Sequence, residues 1–340
     1  MDIPTLLIFL TCTLTGLYIV RKVSTFFNFY DLPDKRKIHK KKITKTAGTA
    51  LIPIIILDLF FLELNYQLLY FLIFLILIIF FGFVDDLLNF TPLTKLLLLF
   101  ILLSFFVVEV VQINSLGLLF NKNLDLYFFS VPFSILCFLL LINSFNYLDG
   151  LDGLLGSLSL VSIVYFICFA QNELHFILVS IIIYLVVFLF FNFGILPKQF
   201  MGDSGSLGLG FIVSFSATYL SQVEPILKPT FVIWPLAFFV YEFLSINFIR
   251  IKIKKNIFSR DLNFIFNIFS NKYGQFKAVI ICLSIHLFYC LNGIILEKLQ
   301  LGELSIILFC IYFIIYIKLR FDQFNNFYKN TNSSKKKYKY

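Results

Sequence analysis

Charge is scarce in this 340-residue chain: 14% of its residues are Asp, Glu, Lys or Arg, while 60% are hydrophobic. A soluble domain cannot hide that much apolar surface, so the composition excludes one and makes the chain a polytopic membrane protein. Histidine is scarcer still, with only His39, His175 and His286. The six cysteines (Cys12, Cys137, Cys168, Cys282, Cys290 and Cys310) all fall inside apolar runs, and no Cys-x-x-Cys or Cys/His cluster exists. Thiol redox chemistry and zinc are therefore not indicated, and these residues read as small buried hydrophobes. The first apolar run, Ile3 to Val20, lacks a basic leader and a small-residue cleavage site, so it reads as a retained span. No soluble domain, linker or repeat of fixed period is visible.

What is present is a series of apolar runs of about 17–20 residues, each the length of a membrane-crossing helix. They lie near 3–20, 46–62, 67–84, 95–112, 128–145, 157–171, 176–192, 207–222, 230–249, 278–296 and 304–318. The expected fold is all-α, with about 10–11 transmembrane helices in one domain over 1–320 and a basic polar tail over 321–340. With eleven crossings, 25 of the 28 Lys and Arg fall on one side, and only Lys122, Lys228 and Lys298 on the other. The basic side is expected to be cytoplasmic, with the N-terminus outside and the C-terminus inside. The net charge of +9 is thereby explained by topology, and no nucleic-acid partner is expected. Trp234 and tyrosines near span ends, such as Tyr18, Tyr66 and Tyr219, read as interfacial anchors.

Against this apolar background the acids stand out. Asp85, Asp86, Asp149, Asp152 and Asp203 all fall at or near span ends on the predicted cytoplasmic side. Carboxylates are costly in hydrocarbon, so acids gathered where spans meet water indicate a site. Adjacent Asp85 and Asp86 repel and need a cation or shared proton to coexist near a low-dielectric boundary. In Asn143-Ser-Phe-Asn146-Tyr-Leu-Asp149-Gly-Leu-Asp152-Gly-Leu-Leu-Gly156, glycines allow the close backbone approach that a phosphate-bearing ligand requires. Phe200-Met-Gly-Asp203-Ser-Gly-Ser206 surrounds one acid with small residues, which suits a magnesium ligand beside phosphate oxygens. A loop running Asp31-Leu-Pro-Asp-Lys-Arg36-Lys37-Ile-His39 could dock an anion.

Taken in order, these segments resemble the polyprenyl-phosphate N-acetylhexosamine-1-phosphate transferases, and the Asp31 to His39 segment is closer to the N-acetylglucosamine branch than to the muramoyl-pentapeptide one. The resemblance implies transfer of a sugar 1-phosphate from a UDP-N-acetylhexosamine to undecaprenyl or another polyprenyl phosphate, with release of UMP. It also implies Mg²⁺, with Mn²⁺ able to replace it, and a site on the cytoplasmic face of the bacterial inner membrane. The expected product begins a cell-surface glycan, and a homodimer is left open. By the same resemblance Asp203, helped by Asn146, would ligate the metal. Asp85 would deprotonate or position the lipid phosphate beside Asp86, and Asp149 and Asp152 would hold the nucleotide and the metal environment. Arg36, Lys37, His39, Lys95, Asn143, Asn146 and Asp261 would meet substrate.

The chain departs from that family where a histidine-rich loop is usual. Asp261 fits, but Phe264, Phe266 and Asn267 stand at the histidine positions and Arg260 replaces a proline. Phenylalanine can neither ligate a metal nor hydrogen-bond a phosphate. The departure is compatible with a changed substrate contact, with Arg250, Lys252, Lys254, Lys255 or Arg260 carrying the charge. A shifted correspondence in the loop or a weakened or repurposed homologue would also account for it. Smaller departures are Ala47-Gly48 for Gly-Gly and Thr44 for a proline. A secondary transporter, with Asp58, Glu109 and Glu242 as its in-membrane acids, is the rival reading.

Overall fold

A computed structural model describes residues 1–32, 42–119, 122–256 and 263–337, with side chains through Gln323. Its helices are α1 Ile3–Phe26, α2 Ala47–Phe61, α3 Tyr66–Leu88, α4 Pro92–Glu109, α5 Tyr127–Leu148, α6 Leu154–Ile167, α7 Asn172–Asn192, α8 Gly202–Val223, α9 Pro229–Lys252, α10 Ile265–Tyr273, α11 Gln275–Lys298 and α12 Gly302–Lys337. Among the described residues nine are long and apolar enough to cross a membrane, while α2 and α6 are apolar but shorter. With those two included, the eleven apolar helices fall where the sequence put eleven spans. Two small antiparallel hairpins join them, Tyr30–Asp31 with Ile43–Thr44 and Ser115–Leu119 with Lys122–Asp125.

Local chemistry sets the helix ends. Asn89, in the left-handed region at φ 52°, stops α3. Two residues later the Thr91 hydroxyl caps α4 by accepting from Thr94 N–H at 3.2 Å, and Pro92 opens its first turn. This tight turn keeps Asp85, Asp86 and Lys95 at one end of the helix pair. At the far end of α3, Asn65 caps Leu68 N–H at 2.9 Å. The last helix runs to Lys337, and no Pro or Gly in 321–337 interrupts it. Two of the expected anchors are also corrected: Trp234 and Tyr219 are buried inside the protein. Trp234 Nε1–H donates to Ser305 Oγ at 2.8 Å, and Tyr219 joins Asn65 and Glu224.

Successive helices contribute alternate ends to one cleft. Its lining takes Lys45 from just before α2, Asp85 and Asp86 from the end of α3, Lys95 from the start of α4 and Asn146 from the end of α5. Asp152 follows from before α6, Asn192 from the end of α7, Asp203 from the start of α8, Arg250 from the end of α9 and Gln275 from the start of α11. That alternation is the one an up-and-down order produces, with the short α2 and α6 included in the series.

Helix α8 is the axle. It is buried almost throughout and packs on α3 and α5. Small residues let the backbones close up, as in other membrane bundles. A Cβ on Gly82 of α3 would lie 2.5 Å from Asp203 O and 2.6 Å from Ser204 Cα, and one on Gly48 would overlap Gly205. Gly82→Ala must therefore shift the start of α8 and with it Asp203. Misplacements near 1 Å cost about 10²-fold in rate, so this variant should lose about 10- to 100-fold in kcat/KM. Gly208→Ala, whose Cβ meets side chains and no backbone (Ile79 Cγ1 at 3.1 Å and Leu75 Cδ1 at 3.7 Å), should stay within about threefold. Equal losses in the two variants would contradict this account.

Candidate active site

The centre of the cleft is a chain of alternating charges. Lys95 Nζ lies 2.8 Å from Asp85 Oδ2 and 2.5 Å from Asp203 Oδ2. Asp85 Oδ1 accepts the Phe90 N–H at 2.9 Å, so both of its oxygens are engaged. Asp203 Oδ1 accepts Asn146 Nδ2 at 2.8 Å, and the same amide donates to Ser206 Oγ at 3.0 Å. Asp86 Oδ2 accepts the Asp203 backbone N–H at 2.8 Å, while Lys45 Nζ sits 3.2 Å from Asp86 Oδ1. The adjacent aspartates thus coexist because each has its own lysine. Gly202, at φ 74°, makes the turn into α8; a Cβ there would overlap Lys45 O and approach Asp86 Oδ2 at 2.6 Å.

A second part of the rim comes from the loop between α5 and α6. Asp152 pairs with Lys198, and Asn192 Oδ1 accepts Gly153 N–H at 2.5 Å while its Nδ2 donates to Gln199 O at 3.0 Å. Asn192 so ties this loop to the segment leading into Asp203. Asp149 opens onto the cleft and is exposed there, although protein surrounds the cleft on most sides. That burial, then the charges of Asp203, Asp86, Asp152 and Asp31, push its carboxyl up to about 7. Asn143 lines the same cleft and donates Nδ2 to Leu139 O at 2.7 Å within its own helix.

All five aspartates singled out in the sequence, with Lys95, Asn143 and Asn146, therefore line one cleft of about 1160 Å³. Arg36, Lys37, His39 and Asp261 lie outside the described residues. Sequence reasoning missed Lys45, Lys198 and Asn192 as site residues. The lysines precede the Ala47-Gly48 and Met201-Gly202 entries by two and three residues, but they had been counted only as topology charges. Phe264, Phe266 and Asn267 do reach the cleft, as the sequence correspondence requires. Phe264 stacks on Phe266 with centroids 5.4 Å apart, and the Arg250 guanidinium lies over both Tyr147 (5.4 Å) and Phe264 (5.8 Å). Together these residues form an aromatic wall backed by a buried cation.

The cleft also has an apolar arm. Leu136, Leu139 and Leu140 on α5, Leu96 on α4 and Phe243 and Leu244 on α9 line it. From Asn146 to Leu136 this arm follows α5 for about 15 Å. One continuous space thus joins an ionic end to a greasy trough.

Whether a hard cation suits the ionic end turns on its donors. Carboxylate oxygens of Asp203 and Asp86 lie beside a glycine turn that brings backbone close, and among the described residues no Cys or His lines the cleft. Among the described residues no group of three or more His, Cys, Asp or Glu forms a ready-made metal cage. Magnesium is commonly held by one or two carboxylates together with substrate phosphates and water, and this donor set fits that pattern. Asn146 acts here as a hydrogen-bond donor to Asp203; only its carbonyl oxygen could serve a cation.

Comparison with known proteins gives two similarities. Residues 68–221, from α3 through α8, match the family described as glycosyl transferase family 4. An undecaprenyl-phosphate alpha-N-acetylglucosaminyl 1-phosphate transferase of Thermotoga maritima is 28% identical over 295 residues, covering 86% of this chain and 90% of that protein. The matched segment carries Asp85, Asp86, Lys95, Asn146, Asp149, Asp152 and Asp203.

Proposed function

We propose that this chain belongs to the polyprenyl-phosphate N-acetylhexosamine-1-phosphate transferases, as its similarities support, and transfers a sugar 1-phosphate from a UDP-sugar to a polyprenyl phosphate. The observation that carries this reading is the single cleft in which a carboxylate–lysine cluster opens into an apolar trough. A soluble nucleotide and a lipid phosphate can meet only in such a space. In the reaction an oxygen of the lipid phosphate forms a bond to the β-phosphorus of the UDP-sugar. The bond from that phosphorus to the bridging oxygen breaks, and UMP leaves with the electron pair. Phosphoryl transfer of this kind depends on alignment and on neutralising charge.

The chain's own residues fit those tasks. Lys95 is the cation that a phosphate oxygen would meet on entering between Asp85 and Asp203. Asp85 lies 2.8 Å from Lys95 Nζ and accepts the Phe90 N–H at 2.9 Å, which supports a role in holding Lys95 beside Asp203. Asn146 and the Asp86 contact to the Asp203 amide fix Asp203. Asp203 and Asp86, with the Asn146 carbonyl, would hold Mg²⁺, which when bound supplies charge neutralisation to the diphosphate. Asp149 and Asp152 border the space left for the nucleotide. The apolar arm suits the first isoprene units.

The basic bias of the cleft side supports placing the site on the cytoplasmic face of the bacterial cytoplasmic membrane, with the N-terminus outside. The donor is proposed to be a UDP-N-acetylhexosamine, and the product the lipid-linked first sugar of a surface glycan. A substrate-shifted homologue is the second reading, favoured by Phe264, Phe266 and Asn267 in the cleft wall. The transporter reading gains nothing: Asp58, Glu109 and Glu242 are all absent from the cleft lining. Purified protein given undecaprenyl phosphate, Mg²⁺ and a panel of UDP-N-acetylhexosamines should release UMP with at least one of them. No turnover with any sugar, where a histidine-bearing homologue works, would sink the catalytic reading.

A further inference from the structure

We propose that the buried Glu242–Arg320 pair is a positioning device that fixes the aromatic wall of the cleft and through it sets affinity for the nucleotide sugar. Glu242 on α9 and Arg320 on α12 are 1% exposed each. Arg320 donates from Nε to Glu242 Oε2 at 2.9 Å and from Nη2 to Oε1 at 3.1 Å, and the Tyr316 hydroxyl donates to Oε2 at 2.8 Å. A pair so deeply desolvated is weak evidence for stability, because apolar replacements of similar size often do as well. What it does hold is the start of α10. Glu242 Oε1 accepts the Ile265 N–H at 2.7 Å, and Arg320 Nη2 donates to the Asn263 carbonyl.

The first turn of α10 has no cap of its own: Phe264 occupies the N-cap position without a side-chain hydrogen bond. Glu242 supplies that bond from another helix. Phe264 and Phe266, the two stacked rings of the wall, flank Ile265 in the chain. Phe264 meets Tyr147 edge to face at 5.6 Å and stacks on Phe266. Phe266 in turn presses on the loop of Asp149, since a Cβ on Gly150 would lie 2.5 Å from its Cζ. A shift of the α10 start would therefore move both the aromatic wall and the Asp149–Gly150 backbone. The α10 helix is not one of the apolar spans, and its Phe266 bears on the Asp149–Gly150 loop that borders the nucleotide space, so the water-soluble substrate is the one affected. This last step rests on the functional reading above.

The test is Glu242→Leu/Arg320→Met, which removes both charges together and so leaves neither buried alone. The KM for the UDP-sugar should rise about tenfold or more, with kcat and the KM for polyprenyl phosphate within about threefold. Hydrogen exchange of 263–268 in the substrate-free protein should quicken by about tenfold or more, since Ile265 N–H has lost its acceptor. Glu242→Gln/Arg320→Met keeps an acceptor for Ile265 and should lie between wild type and the first variant in both readouts. If the first variant does not fold, the second decides alone, and wild-type values in both readouts overturn the proposal. If no UDP-sugar is turned over even by wild type, the functional reading fails separately, and exchange at 263–268 still decides the positioning role: unchanged exchange in the folded double variant overturns it.

Discussion

Asp203→Asn should lower kcat/KM about 10³-fold, roughly 4 kcal/mol of transition-state stabilisation. The change is isosteric, and Asn can still accept from Asn146 through its carbonyl. Its amide, however, turns a donor toward Lys95 Nζ, which now sits 2.5 Å from Asp203 Oδ2. Lys95 retains Asp85 as a partner at 2.8 Å, so the cluster keeps a counter-charge and the fold should survive. What is lost is the negative charge at the start of α8 that a divalent cation and the lysine share. Steady-state kinetics beside thermal unfolding in detergent provide the check. A variant within fivefold of wild type would remove Asp203 from the reaction, and a collapse of stability would show that it serves the fold instead.

Lys95→Met should be the next most damaging change, at about 10²-fold in kcat/KM, and it should also destabilise. The lysine side chain is 11% exposed and Asp85 is 6% exposed. Deleting the cation leaves two carboxylates facing each other with little water to screen them. Breaking a buried pair this way costs about 3 kcal/mol or more; Asp203, 33% exposed on its side chain, puts the expectation at the low end. Asp85→Asn/Lys95→Met should recover much of the stability and none of the activity. The double-mutant cycle would then give a large coupling in unfolding. Full stability in Lys95→Met alone would mean that solvent reaches the pair far better than the packing indicates.

Much of this was readable in one dimension because the membrane imposes a strict code. Every backbone polar group in hydrocarbon must be satisfied within a helix, so apolar run length located all eleven helices. Charge cost then made Asp85, Asp86, Asp149, Asp152 and Asp203 conspicuous. Lys45 and Lys198 were not conspicuous, because a basic residue beside a membrane span is ordinary and its partner carboxylates are far away in sequence. Asn192 was invisible for the same reason: a polar residue at a helix end has many dull explanations. Trp234 and Tyr219 were misread because composition shows that a polar tip needs a partner but not whether that partner is water or Ser305, Asn65 and Glu224.

The sequence by itself determined that the chain is built of apolar helices, where they lie and which acids stand out, because hydropathy and desolvation act on local stretches of chain. Only the tertiary structure decided which lysine neutralises which aspartate, that the trough opens off the ionic cluster, and that Glu242 and Arg320 bond the start of the helix carrying Phe266. Those are relations between residues tens to hundreds of positions apart. They are fixed by backbone approach at Gly48, Gly82 and Gly202 and by hydrogen-bond geometry, neither of which leaves a periodic trace in the chain.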